Sequence, residues 1–161
     1  MKVYLGADHA GWQLKEIIKK YLDQKKVSYQ DLGNKVLDKN DDYPDYSLKV
    51  ANAVIKDKKS LGILFCGSSA GACITANKVK GIRAASVRSL GEAKLARSDD
   101  DANIICLAGG QQVQQKVKNV GVSPALAKKI VTTWLDSSFS NAPRHKRRVG
   151  KIKKIETKNF K

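Results

Sequence analysis

The chain has 161 residues, 42% of them hydrophobic, which suits one domain built on a single core. Its 31 Lys and Arg against 15 Asp and Glu give a formal charge of +16, which directs attention to phosphate-bearing and other polyanionic partners. No stretch reaches the roughly 18 apolar residues that span a bilayer, and Met1 to Trp12 lacks a long apolar run, so a cytoplasmic protein that uses no membrane is expected.

Lys2 to Ala7 reads as a short apolar strand, followed by Leu14, Ile17, Ile18, Tyr21 and Leu22 on one face of a helix. Val27 to Leu32 reads as a second strand. The polar loop Gly33 to Asp42 then leads through Pro44 into a helix carrying Leu48, Ala51, Val54 and Ile55. Leu61 to Cys66 is a continuous apolar run of buried-strand length, Ala70 to Val79 a helix, Ile82 to Val87 a fourth strand and Leu90 to Arg97 a further helix. Ile104 to Ala108 makes a fifth strand. Ser123 and Pro124 form a helix start for Ala125 to Leu135, and Val149, Ile152 and Ile155 mark a last, basic helix. Strands alternating with helices predict an α/β fold with a parallel sheet covered on both faces, here one domain over residues 1–161. Residues 109–122, rich in Gln and Lys, are longer than a usual connection and read as a surface insertion.

Half of the net charge lies in the C-terminal helix and tail, residues 144–161, where nine Lys or Arg stand against one Glu. A solvated basic helix with a frayed end accounts for this run better than a nucleic-acid surface does, because Phe160 is its only aromatic residue and base stacking lacks support. A few of these arginines can still bind one small phosphate. The three cysteines, Cys66, Cys73 and Cys106, have no CxxC spacing and only two histidines beside them, which argues against a disulfide framework and against a metal site. Neither metal nor cofactor is expected.

Ligands of an open parallel sheet bind outside the carboxyl ends of the strands. Strand one runs into Gly6-Ala7-Asp8-His9-Ala10-Gly11, where Asp8 and His9 are either a helix cap with a surface imidazole or part of a site. Strand three runs into Cys66-Gly67-Ser68-Ser69-Ala70-Gly71, whose backbone N–H groups can face an anion before a helix. This loop matches neither GxxxxGK[ST] nor GxGxxG. Cys66 is either a small buried hydrophobe or a reactive thiol with its pKa lowered by the helix N-terminus, whereas Cys73 and Cys106 read as core. The run Asp99-Asp100-Asp101 reads on spacing alone as a solvated turn.

Taken together, these segments resemble the type B ribose-5-phosphate isomerases, which share a family with the bacterial galactose-6-phosphate isomerase subunits. The resemblance runs through Gly6 to Gly11, Asp42-Tyr43-Pro44, Cys66-Gly67-Ser68 with Gly71, Ala76-Asn77-Lys78, Gly81-Ile82-Arg83-Ala84, Asp101-Ala102-Asn103 and Arg144-His145-Lys146-Arg147-Arg148-Val149. It implies a Rossmann-like three-layer sandwich with a five-stranded parallel sheet. It also implies a homodimer with two sites shared across the interface, leaving pairing into tetramers open, and an aldose–ketose isomerisation of a sugar phosphate. In such enzymes the cysteine matching Cys66 moves the proton from C2 to C1 through an enediolate. The N–H groups of Gly67, Ser68, Ser69, Ala70 and Gly71 would stabilise the developing oxyanion, and the Ser68 hydroxyl would assist. Asp8 and His9 would bind sugar hydroxyls or phosphate, and Arg144 and Arg148 match the phosphate-binding arginines.

The chain departs from the family pattern at several positions. The ring-opening histidine falls at Asp99, a carboxylate that can still act as a base on the anomeric hydroxyl, and the neighbouring sugar-binding asparagine falls at Asp100. The family's arginine after strand five is missing from Gly109-Gly110-Gln111-Gln112, with Lys118 as a displaced candidate, and a family glycine is Ser69, tolerable where no positive φ is needed. Ribose 5-phosphate is the first expected substrate. Allose or galactose 6-phosphate, a catalytically weak sugar-phosphate-binding partner subunit and, last, a nucleic-acid module are the alternatives.

Overall fold

Two runs without a charged residue become the centre of the molecule. Leu61–Cys66 forms β3 and Ile104–Ala108 forms β5, and every residue in both is buried, as strands covered on two faces require. The computed structural model describes residues 1–110 and 120–160. Around the two central strands the chain places β1 (Val3–Ala7), α1 (His9–Gln24), β2 (Tyr29–Asp31), α2 (Tyr43–Lys56), α3 (Ala70–Ala76), β4 (Ala84–Ser86), α4 (Leu90–Ser98), α5 (Pro124–Leu135) and α6 (Pro143–Asn159). All described strand pairs are parallel, in the order β2-β1-β3-β5-β4.

Alternation along the strands divides the core into two layers. Leu5, Ile63, Phe65, Ile105 and Leu107 pack with Leu14, Ile18 and Leu22 of α1, with Ala93 and Ala96 of α4 and with Ile130 and Trp134 of α5. Leu64, Cys66, Ile104 and Cys106 face the other way, toward Val50, Ala51 and Val54 of α2 and Ala72 and Ala76 of α3. The expected three-layer α/β architecture is therefore present. Cys66 and Cys106 share the α2/α3 face.

The expected caps also form. Asp8 Oδ1 accepts from the Gly11 N–H at 2.9 Å, and Ser123 Oγ accepts from Leu126 N–H at 3.2 Å ahead of Pro124. Differences lie at the edges. β2 and β4 are three residues each because each has a single neighbour in the sheet. Helix α3 stops at Ala76, not Val79, because Asn77 turns its amide to β4, donating to the Ala84 carbonyl at 2.9 Å and accepting from its N–H at 2.8 Å. Cys106 is core as expected, but Cys73 is half-buried and directs its thiol at the Ala84 carbonyl, 3.2 Å away. Of the expected insertion at 109–122, residues 111–119, with Gln111, Gln112 and Lys118, lie outside the described residues.

Glycine at position 11 is dictated by packing. A Cβ there would fall 2.2 Å from the carbonyl carbon and oxygen of Phe65 and 2.6 Å from the Cys66 nitrogen, atoms that cannot move without disturbing β3. Gly11→Ala is expected to lower stability by about 2–3 kcal/mol in urea unfolding. Gly91→Ala on exposed α4, where a Cβ would meet only Ser89 Oγ at 4.0 Å, is expected to raise it by about 0.5 kcal/mol.

Candidate active site

Strand order reverses direction between β1 and β3, and the crevice at the carboxyl ends of two such strands is the ligand position of open parallel sheets. Asp8 and His9 follow β1 into that crevice, while Cys66 ends β3 and Gly67 to Gly71 turn into α3. The close seat of Gly11 on Phe65 draws the start of α1 against the end of β3. Asp8, 4% exposed, then does two things at once, capping α1 through Gly11 and accepting the Cys66 thiol proton in a hydrogen bond.

This pairing reverses the expected direction of the Cys66 pKa. Burial first, then the Asp8 charge and its hydrogen bond, push the thiol up to about 11, against the backbone N–H groups of Ser68 and Ala72 that favour the thiolate. A helix of seven residues with two amides on the sulfur is outweighed by burial beside a carboxylate. Burial also raises Asp8, opposed by the Gly11 N–H and the thiol. The carboxylate disfavours the thiolate while the neutral thiol favours the carboxylate, so the titrations of the two groups are linked.

His9 is anchored from a segment that the sequence reading passed over as polar loop. Asp41 Oδ1 accepts from the His9 backbone N–H at 2.8 Å and lies 2.7 Å from its Nδ1, and the same carboxylate receives the Asn34 amide. Burial works against a charged imidazole, but the Asp41 hydrogen bond and the Asp8 and Asp41 charges raise its pKa overall. His9 thus leans toward the cation at the mouth of the crevice. Nothing in the spacing of Asp38, Asp41 and Asp42 distinguishes the one that reaches His9.

In the small-residue loop, Ser69 adopts φ 67°, so the condition on which a side chain replaces the family's glycine without strain, no positive φ, is not met. Ser69 is fully buried and its Oγ is bonded to Ser86 Oγ at 2.6 Å, which helps hold that conformation. Ser68 is half-exposed, and Ala70 is exposed. The Tyr43 ring packs on Gly71, where an added Cβ would fall 2.6 Å from it, so Tyr43 walls the loop at the α3 start. The thiol whose pKa is lowered is Cys73, to about 7, chiefly by a hydrogen bond from Cys106.

The remaining expected residues gather elsewhere. Asp99 caps the C-terminus of α4, accepts from Ser98 Oγ at 2.6 Å and lies 3.5 Å from His145 Nε2. His145, 3% exposed, is held by Ser140 Oγ at 2.7 Å from Nδ1 and by Arg144 Nε at 2.8 Å from Nε2. Reading Arg144-His145-Lys146-Arg147-Arg148 for its arginines overlooked this imidazole beside Asp99. Asp100, Arg144 and Arg148 are exposed, and the two arginines, four residues apart, share a face of α6. Asp101 is structural, pairing with Arg83 at 2.7 Å and with Arg97.

The two groups of residues occupy opposite edges of the sheet. Gly62 pairs with Ile104 and Cys66 with Ala108, so the strand alone lifts Cys66 at least about 13 Å above the edge where Asp99 lies. One chain brings together Asp8, His9 and Cys66 to Gly71, and separately Asp99, Asp100, Arg144 and Arg148, but not both sets. Among the described residues no group of three or more His, Cys, Asp or Glu side chains is placed to hold a metal ion, and no helix is long and apolar enough to cross a membrane.

The sequence over residues 3–152 matches the family model described as Ribose/Galactose Isomerase. A Mycoplasma pneumoniae protein named "Probable ribose-5-phosphate isomerase B" is 43% identical over 150 residues, covering 93% of this chain and 91% of its own. The crystal structure of ribose-5-phosphate isomerase B from Mycoplasma genitalium with bound ribulose 5-phosphate superposes with a TM-score of 0.88 at 40% identity, covering 98% of this chain and 97% of that one. The isomerase B of Clostridium thermocellum superposes with a TM-score of 0.87, also at 40% identity, over 98% of this chain and 99% of its own. With the crevice, its cysteine loop and a family model that spans nearly the whole chain, this protein belongs to the ribose/galactose isomerase family.

Proposed function

We propose that the chain is a ribose-5-phosphate isomerase that works as a homodimer with Cys66 as its proton-transferring base. The observation that carries this reading is the Cys66–Asp8 pair in the crevice between β1 and β3, with an amide-rich loop beside it. The ribulose 5-phosphate bound to the Mycoplasma genitalium relative supports the choice of sugar.

Asp8 takes the thiol proton as the thiolate removes the C2 proton of the open-chain aldose. The C2–H electrons form the C1–C2 double bond of the enediolate, and the Cys66 thiol returns the proton to C1. Because α3 begins at Ala70, the N–H groups of Ala70 and Gly71 have no helical acceptor and are free to stabilise the developing oxyanion. The Ser68 hydroxyl carries the O2 proton to O1. His9, charged and fixed by Asp41, binds a sugar oxygen or the phosphate. At the other edge, Arg144 and Arg148 bind phosphate, and Asp99 with His145 behind it handles the anomeric proton during ring opening.

Separation of the two sets of residues by the height of the sheet supports a two-fold dimer in which the Asp99 edge of one protomer faces the Cys66 edge of its partner. Ketose formation from ribose 5-phosphate tests the activity, and variant mixing tests the sharing. Cys66→Ala and Arg148→Ala homodimers are each expected to be inactive, and an equal mixture, after subunit exchange, to recover about a quarter of the wild-type sites, because each mixed dimer carries one intact site. A mixture as silent as its parts contradicts the shared site.

Thiol reactivity reads the Cys66–Asp8 pair. In pH-resolved iodoacetamide labelling mapped by mass spectrometry, Cys66 is expected to gain reactivity only well above neutral pH, rising toward about 11. Asp8→Asn removes the carboxylate charge that opposes the thiolate, so the Cys66 midpoint falls by at least about one unit. An unchanged midpoint removes Asp8 from the proposed proton transfer.

A further inference from the structure

A cavity of about 520 Å³ lies away from Cys66, where the loop before β3, the turn between α3 and β4, the end of α4 and the middle of α6 converge. Its lining is strongly cationic. Lys58, Lys59, Lys80, Arg83, Arg97 and Lys153 contribute to it, with Asp101 as the acidic residue among them. Five of these six cations lie outside the basic segment 144–161, so the charge of the tail does not account for them.

Asp101 is fully engaged. Held with φ 50°, it pairs with Arg83 at 2.7 Å through one oxygen and with Arg97 through the other. One carboxylate therefore serves two guanidinium groups, and the buried Arg97 Nε has no hydrogen-bond partner among the described residues. Lys80 Nζ donates to the Phe160 carbonyl at 3.2 Å. Among the described residues, Lys58, Lys59 and Lys153 form no ion pair with a carboxylate. Charges on a solvated helix face diverge into water. These come from four separate parts of the chain and surround one concavity, a geometry that focuses a positive field.

We propose that this cavity binds a compact polyphosphate, at a site separate from the sugar-phosphate site. Its volume falls within the range of small-molecule pockets. Val54, Ile55 and Leu61 form an apolar part of the wall, and among the described residues no aromatic side chain lines it, so it offers charge to phosphate groups and no stacking platform to a nucleobase. Several phosphates on one small molecule engage several lysines at once. A single phosphate does not.

Inorganic tripolyphosphate, titrated calorimetrically into the full chain, is the test. Binding is expected at low salt, at least about tenfold tighter than that of inorganic phosphate, and weakening about tenfold between 50 and 200 mM NaCl. The three lysines without carboxylate partners are exposed, so the Lys58→Gln, Lys59→Gln, Lys153→Gln triple variant keeps the fold while weakening tripolyphosphate by at least about tenfold. Arg144→Gln with Arg148→Gln is expected to leave that affinity within about twofold, because those arginines lie outside the cavity lining. The proposal is overturned by no binding to the wild-type chain, by equal affinity for phosphate and tripolyphosphate, or by loss of binding in the arginine variant but not the lysine variant. Tighter binding of a short single-stranded oligonucleotide than of tripolyphosphate overturns it as well.

Discussion

The close approach of α1 to β3 is the constraint on which the chemistry depends. With no side chain at Gly11, the first turn of α1 rests directly on the carbonyl of Phe65, and this contact sets Asp8 beside Cys66. The same carboxylate then caps the helix and faces the thiol. Stability and the proposed acid–base chemistry thus share one group. The cap requires only an acceptor oxygen, whereas proton exchange with sulfur requires a carboxylate, so the two roles separate under substitution by an amide.

A parallel sheet places all of its carboxyl ends on one edge, and that geometry divides the family's residues in this chain. Cys66 and its loop lie on the carboxyl edge, and Asp99, His145 and Arg144 on the amino edge. Cationic character gathers mainly at the amino edge, around α6 and around the cavity bounded by Lys58, Lys80 and Arg97. In the proposed reading, anionic substrate is drawn there by charge and proton transfer takes place at the opposite edge. A second copy of the chain is the simplest way to join the two functions over one sugar phosphate.

How much of this was legible in the sequence follows from which forces act locally. β3 and β5 were found with their observed limits because two-sided burial leaves an unbroken apolar run. β2 and β4 were overextended because an edge strand ends where pairing stops, which composition does not record. The glycines and small residues around Cys66 were readable as a ligand loop, and the topology places that loop at the strand-order reversal. Contacts between distant segments were not readable. Asp41 reaches His9 across 32 residues, His145 meets Asp99 across a turn of the fold, and Lys15 is fully buried because Asp31 on β2 receives its ammonium at 3.0 Å. The reactive-thiol reading expected the Cys66 pKa to fall for the same reason, since the helix end is local, whereas burial and, after it, the Asp8 carboxylate that follows a different strand come from the fold.

Deuterium incorporation from D2O into ribose 5-phosphate and ribulose 5-phosphate, followed by NMR on the wild-type chain and on Cys66→Ala, tests the central claim most directly. The account predicts exchange at the carbon-bound positions together with ketose formation in the wild type. It predicts loss of both in a Cys66→Ala protein that still folds and binds the sugar phosphate. Exchange that persists at the wild-type rate without the Cys66 thiol would contradict it.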